Sequence, residues 1–184
     1  MITLAKEDDF EVARHASPQS LPRHMTVTEL IDGANCCVYI EQRGSGWLVG
    51  AQSRNRVLTV DNDHYGFAEW VSAEAEALVE LLGPGRHYGE WWGAGINRNY
   101  GLSERRWTPL HPKRQVSAPE IGIQPLPMLY EGAFTVFMVQ EAIEHLRCNG
   151  SMAAPGFMEP EGVLIFGGPG WTVFRARFGI EVDA

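Results

Sequence analysis

Glu29-Leu30-Ile31-Asp32-Gly33-Ala34-Asn35 is the stretch around which this chain is organised. A short apolar run from Val27 to Ile31 ends at Asp32-Gly33, a turn signal. Glu29 and Asp32 set carboxylates on either side of Leu30. A leucine side chain has no lone pair and cannot act as a nucleophile. Amines are scarce elsewhere, since Lys6 and Lys113 are the only lysines. A second stretch carries positive charge. Arg86, Arg98, Arg105, Arg106, Lys113 and Arg114 stand against Glu90 and Glu104, a local balance of +4 that leaves −12 on the remainder. Such a patch on an acidic protein suits a confined, phosphate-bearing partner. A solvated loop face would account for the same charges.

The bulk numbers narrow the class. A chain of 184 residues, 45% hydrophobic and 21% charged, fits one folded domain with a real core. The net charge of −8 argues against a surface that coats nucleic acid in general. No run approaches the ~18 apolar residues of a membrane helix, and Met1 to Phe10 lacks a secretory h-region. Cys36, Cys37 and Cys148 make an odd count with two adjacent, which is neither a disulfide framework nor a zinc spacing. Free thiols in a reducing, cytoplasmic setting are expected. The six histidines form no metal-ligand pair at close spacing.

The elements that must position these residues read as short strands and two helices. Residues 1–24 include a proline-bearing loop, Ser17 to Pro22. Cys36–Ile40 and Trp47–Ala51 read as a hairpin around Gln42 to Gly46, and Val57–Val60 as a possible extension of its second strand. Phe67, Val71, Ala75, Leu78 and Leu82 recur at helical steps, predicting one helix over 67–82 stopped by Gly83-Pro84-Gly85. His87–Gly93 is an aromatic strand, Gly95–Arg105 a polar loop, and Leu126–Tyr130 a short apolar piece. Residues 134–148 predict a second helix with Val136, Val139, Ile143 and Leu146 on one face. Gly162–Phe166 and Trp171–Phe178 predict a last hairpin around Gly167 to Gly170. Without βαβ alternation, this is an α+β protein with antiparallel sheets. No interior linker divides the chain, so 1–184 is expected to be a single domain.

Taken in order, these stretches resemble the phage-type RNA ligases of the covalent nucleotidyltransferase superfamily. That family opens its site with Glu-Lys-x-Asp-Gly-x-Asn. Residues Glu29 to Asn35 match it at every fixed position except the lysine, where Leu30 stands. Ser53-Arg54-Asn55-Arg56, Gly89-Glu90-Trp91, Glu161-Gly162-Val163 and Arg175-Ala176-Arg177 match its later signatures. The likeness runs from Thr28 to Phe178. It implies two packed antiparallel sheets with flanking helices and a pocket for ATP or AMP with Mg2+. The implied nucleotide-binding residues are Glu29, Asp32, Gly33, Asn35, Arg54, Glu90, Leu110 and Glu161. Asn35 would touch the α-phosphate or an RNA end, and Arg54 would bind phosphate through its planar fork. Glu90 would accept from ribose hydroxyls, and Glu161 would hold the metal or its waters. Arg175 and Arg177 would offset phosphate charge. RNA would be gripped by Arg98, Arg105, Arg106, Lys113 and Arg114. Larger relatives add a C-terminal accessory domain, which is not expected within these residues.

Three departures shape the functional expectation. Leu30 removes the amine that would be adenylated. Leu110 stands where an aromatic stacks on adenine, a loss worth roughly 1–3 kcal/mol; Trp107 has the wrong strand parity to replace it. Arg175 and Arg177 stand where lysines assist the leaving group, and arginine keeps charge but is not a proton donor. The expectation is a pseudoenzyme that binds ATP or AMP and RNA ends without lysine adenylation. The competing readings are an active ATP-dependent RNA ligase in which one lysine has been replaced, and an interaction module that has lost its pocket.

Overall fold

The computed structural model describes residues 24–167 and 172–178. The proline loop before His24 and the turn between the last two strands lie outside them. The elements in order are β1 (His24–Leu30), β2 (Ala34–Arg43), β3 (Gly46–Ser53), β4 (Val57–Leu58), α1 (Phe67–Ala73), α2 (Ala75–Leu82), β5 (Gly85–Gly93), β6 (Arg105–Pro109), β7 (Met128–Ala133), α3 (Val136–Asn149), β8 (Gly162–Gly167) and β9 (Thr172–Arg177).

Two sheets form, and every named strand pairing in them is antiparallel. One has the order β7-β1-β8-β9, the other β4-β3-β2-β5-β6. Alternation along each strand separates the faces. In the five-stranded sheet, Val38, Ile40, Trp91 and Trp107 point to a core closed by Phe67, Val71 and Leu78. In the four-stranded sheet, Met25, Val27, Val163 and Ile165 pack on Val139, Ala142 and Leu146 of α3. The opposite faces of the two sheets meet through a third cluster holding Leu30, Ile31, Trp92, Tyr100, Leu164 and Phe166. The order of layers is therefore helix, sheet, sheet, helix, as expected. Among the described residues no helix is long and apolar enough to cross a membrane.

The predicted helix over 67–82 is two helices that meet at Glu74, whose backbone sits at φ −101, ψ 16. The bend lets Phe67, Ala68 and Val71 of α1 and Leu78 of α2 reach the same core. The helix predicted over 134–148 is α3, which starts at Val136, where the Thr135 hydroxyl accepts from Met138 N at 3.2 Å and caps the first turn. Val57 does not extend β3. The chain turns at Arg54–Arg56 and Val57–Leu58 pairs back on it. The piece near Leu126–Tyr130 is the edge strand β7.

Candidate functional site

β1 ends at Leu30, and the chain crosses to the other sheet through Ile31-Asp32-Gly33 before β2 begins at Ala34. This crossing places the turn at the junction of the two inner sheet faces. Gly33 is required by crowding: a Cβ there would lie 2.4 Å from the Trp91 carbonyl oxygen. Its amide donates to Glu90 Oε1 at 3.1 Å. Asp32 is held from three sides. Its amide donates to the Tyr100 hydroxyl at 2.8 Å, Asn97 Nδ2 donates to Oδ1 at 2.8 Å, and Arg98 Nε lies 3.1 Å from Oδ2. The 97–100 loop that supplies these groups carries Asn97, Asn99 and Tyr100 at positive φ.

Asn35 and Glu90 face each other across β2 and β5. Asn35 Nδ2 donates to Glu90 Oε2, and Arg54 Nη2 donates to Asn35 Oδ1 at 2.7 Å. This chain of bonds fixes which way the Asn35 amide points. Glu90 is 5% exposed, and burial pushes its carboxyl up to about 7 against the pull of Asn35 and the Gly33 amide. Glu161 precedes β8, and Arg177 Nε lies 2.6 Å from its Oε1. Burial and the Asp32 carboxylate raise the Glu161 pKa, while Arg177, Arg98 and Arg175 oppose the shift. Arg175 lies opposite Leu164 on the inner face of β8 and β9.

Asp32, Gly33, Asn35, Arg54, Glu90, Glu161, Arg175 and Arg177 line one cavity of about 710 Å³, within the range of small-ligand sites. The structure brings Leu30, Asp32, Gly33, Asn35, Arg54, Glu90, Leu110, Glu161, Arg175 and Arg177 to it. Arg56, His64, Leu164, Phe166 and Val173 also line it. Only Arg56 had a sequence signal, as part of Ser53–Arg56. Strand parity could have found Phe166 and Val173, which share faces with Leu164 and Arg175. The wall from the five-stranded sheet is polar, and the floor from Leu30, Leu164, Phe166 and Val173 is apolar. Leu30 is nearly buried in that floor.

Glu29 must be corrected. Its side chain has the opposite parity to Leu30 and lies on the α3 side, away from the cavity. There its carboxylate accepts from Ser151 Oγ at 2.6 Å, Met152 N at 2.8 Å and Ala153 N at 3.0 Å. It is fully buried, and burial raises its pKa despite these bonds.

The basic stretch is not one surface. Arg98 serves Asp32 and donates to the Glu159 carbonyl. Arg105 donates to the Ala94 carbonyl beside α1, whereas its neighbour Arg106 lies over the Trp92 ring on the other face and pairs with Glu104. Neither Lys113 nor Arg114 lines the cavity. Trp107 is buried in the helix-side core near Trp70, as its parity requires.

The sequence profile of the RNA ligase family matches residues 23–165. No curated protein matches the sequence. Among solved structures, an arginine-to-alanine mutant of Naegleria gruberi RNA ligase with ATP and Mn aligns at TM-score 0.59 and 19% identity, over 86% of this chain and 50% of that one. A lysine-to-methionine mutant of the same enzyme with AMP and Mn aligns at TM-score 0.58 and 19% identity, over 85% of this chain and 50% of that one. The likeness carries the fold, and this chain spans about half the length of those structures. With the two-sheet architecture and most of the family's motif residues around one cavity, the profile match settles the assignment: the chain belongs to the RNA ligase family.

Proposed function

We propose that this chain is a ligase-like domain that binds ATP or AMP with a divalent ion, and RNA ends beside it, without forming a lysine adenylate. One observation carries the reading. The cavity gathers Asp32, Asn35, Arg54, Glu90 and Glu161, yet among the described residues no lysine lines it and Leu30 closes its floor. Arg54, Arg56, Arg175 and Arg177 supply positive charge for phosphates, as planar guanidinium forks do. In its ionised form Glu90 would accept from ribose hydroxyls. Leu110, Phe166 and Val173 offer apolar contact to a base.

No cluster of three or more metal-ligating side chains is present among the described residues. The donor set nonetheless fits an ion that arrives with its nucleotide. Magnesium and manganese bind through one or two carboxylates plus phosphates and water. Asp32 and Glu161 both line the cavity, and Asp32 raises the Glu161 pKa, so a cation would relieve their repulsion. The ion would neutralise phosphate charge; Asp32 and Glu161 would hold it.

Calorimetry with ATP and Mn should show binding that Arg54→Ala weakens about tenfold, as expected for loss of a charged contact of ~1.4 kcal/mol. Intact mass after the same incubation should show no added AMP. An AMP adduct on the parent protein overturns the proposal. A second reading, an otherwise competent ligase lacking one lysine, is favoured by the retention of Asp32, Asn35, Glu90 and Glu161 around the cavity. It requires Leu30→Lys to acquire AMP from ATP. The proposal expects none, because Leu110, Arg175 and Arg177 also depart from the family pattern.

A further inference from the structure

We propose that the cavity continues along the open face of the five-stranded sheet as a stacking platform for a single-stranded polynucleotide end. This rests on the nucleotide reading of the adjoining cavity. The register sets it up. Asn35 pairs with Glu90, Cys37 with Tyr88 and Tyr39 with Arg86. Side chains two residues apart share a face and stand about 7 Å apart along the strand. Tyr88 and Arg86 therefore continue the row that Glu90 begins.

The side chains on that row suit unpaired bases and their phosphates. Tyr88 is 57% exposed. Arg86 lies 4.6 Å from the centre of the Tyr39 ring and donates to Gln52 Oε1 at 2.7 Å. Leu110 N donates to the Tyr88 carbonyl at 3.0 Å, tying the platform to a cavity wall. A second cleft, of about 490 Å³, is lined by Arg86, Tyr88 and Arg114 and shares Leu110, Phe166 and Val173 with the cavity. A base emerging past Leu110 meets the Tyr88 ring, with Arg86 and Arg114 flanking its backbone. Farther along β2, the Glu41 carboxylate is held by Tyr39 and Arg43.

Aromatic rings with guanidinium groups on an open sheet bind single strands, because base faces are available only when unpaired. The charge that the sequence placed at Arg98–Arg114 is dispersed by the fold. Arg114, joined by Arg86, is what reaches this cleft.

The test uses the full chain with a short fluorescein-labelled oligoadenylate bearing a 5′-phosphate, read by anisotropy, beside ATP calorimetry on the same preparations. Tyr88→Val keeps strand propensity and should weaken oligoadenylate binding about fivefold to a hundredfold, whereas Tyr88→Trp should keep it. Arg86→Gln with Arg114→Gln should reduce the slope of log affinity against log salt by about 0.7 per lost phosphate contact. ATP affinity should stay the same in the Tyr88 variants. Undiminished oligoadenylate binding by Tyr88→Val overturns the platform. So does a Tyr88→Trp variant no better than valine, or equal binding of the same strand in a duplex. ATP binding without oligoadenylate binding also overturns the platform alone. Tyr88-dependent oligoadenylate binding without ATP binding overturns the cavity reading alone, and binding of neither overturns both.

Discussion

Glu90 shows how one side chain links site and stability. Burial raises its carboxyl from an ordinary 4.5 to about 7, so the folded protein holds a proton there that the unfolded chain releases. Stability from this group is full below about pH 4.5 and is lost as pH rises through about 7. The difference is on the order of 3 kcal/mol. Chemical denaturation across pH 4 to 8 should show this fall. Glu90→Gln, though less stable in absolute terms because Gly33 N and Asn35 Nδ2 both need acceptors, should lack Glu90's share of it. An unchanged slope in Glu90→Gln would remove the buried carboxyl as its source. At Gly33, substitution by alanine should fail more severely, since the new methyl meets backbone on β5 and cannot be relieved by a rotamer.

The element scale explains the correction at Glu29. A strand sends successive residues to opposite faces, so Leu30 and Glu29 cannot both reach the cavity. The carboxylate instead ties β1 to the loop after α3 by gathering three donors at residues 151–153. Glu29→Ala should cost about 3 kcal/mol or more, because it leaves those buried donors without an acceptor. Hydrogen exchange should rise first at Met152 and Ala153, with nucleotide contacts in the cavity less affected. If exchange there is unchanged, another contact holds the loop. The bend at Glu74 belongs to this scale too. Apolar spacing predicts a continuous helix from Phe67 to Leu82, but two shorter pieces follow the sheet surface that they cover.

At the scale of the whole molecule, the arginines around the cavity stand out against the overall charge. The protein carries a net −8, yet Arg54, Arg56, Arg175 and Arg177 converge on one cavity. These four arginines outnumber Asp32, Glu90 and Glu161 in the same lining, so an acidic protein concentrates its attraction for phosphates at that place. ATP affinity should therefore fall as salt rises, and fall more steeply than AMP affinity because more phosphate charge is neutralised. Parallel titrations at several salt concentrations check this; equal slopes would place the added phosphates outside the arginine-lined wall.

The sequence by itself determined the α+β class, the antiparallel hairpins, the family, and the residue types that gather at the cavity. Those properties are local: apolar spacing, turn residues and short signatures are written within a few positions of one another. Tertiary structure decided which faces oppose. It turned Glu29 inward to a loop 122 positions away, scattered Arg98, Arg105 and Arg106, and brought Phe166 and Val173 to the cavity floor. Strand alternation says which of these residues share a face, but not which face becomes cavity and which becomes core. That depends on how two sheets, each assembled from distant segments, pack their inner faces, and a shift of one residue in register would exchange every side chain between cavity and core.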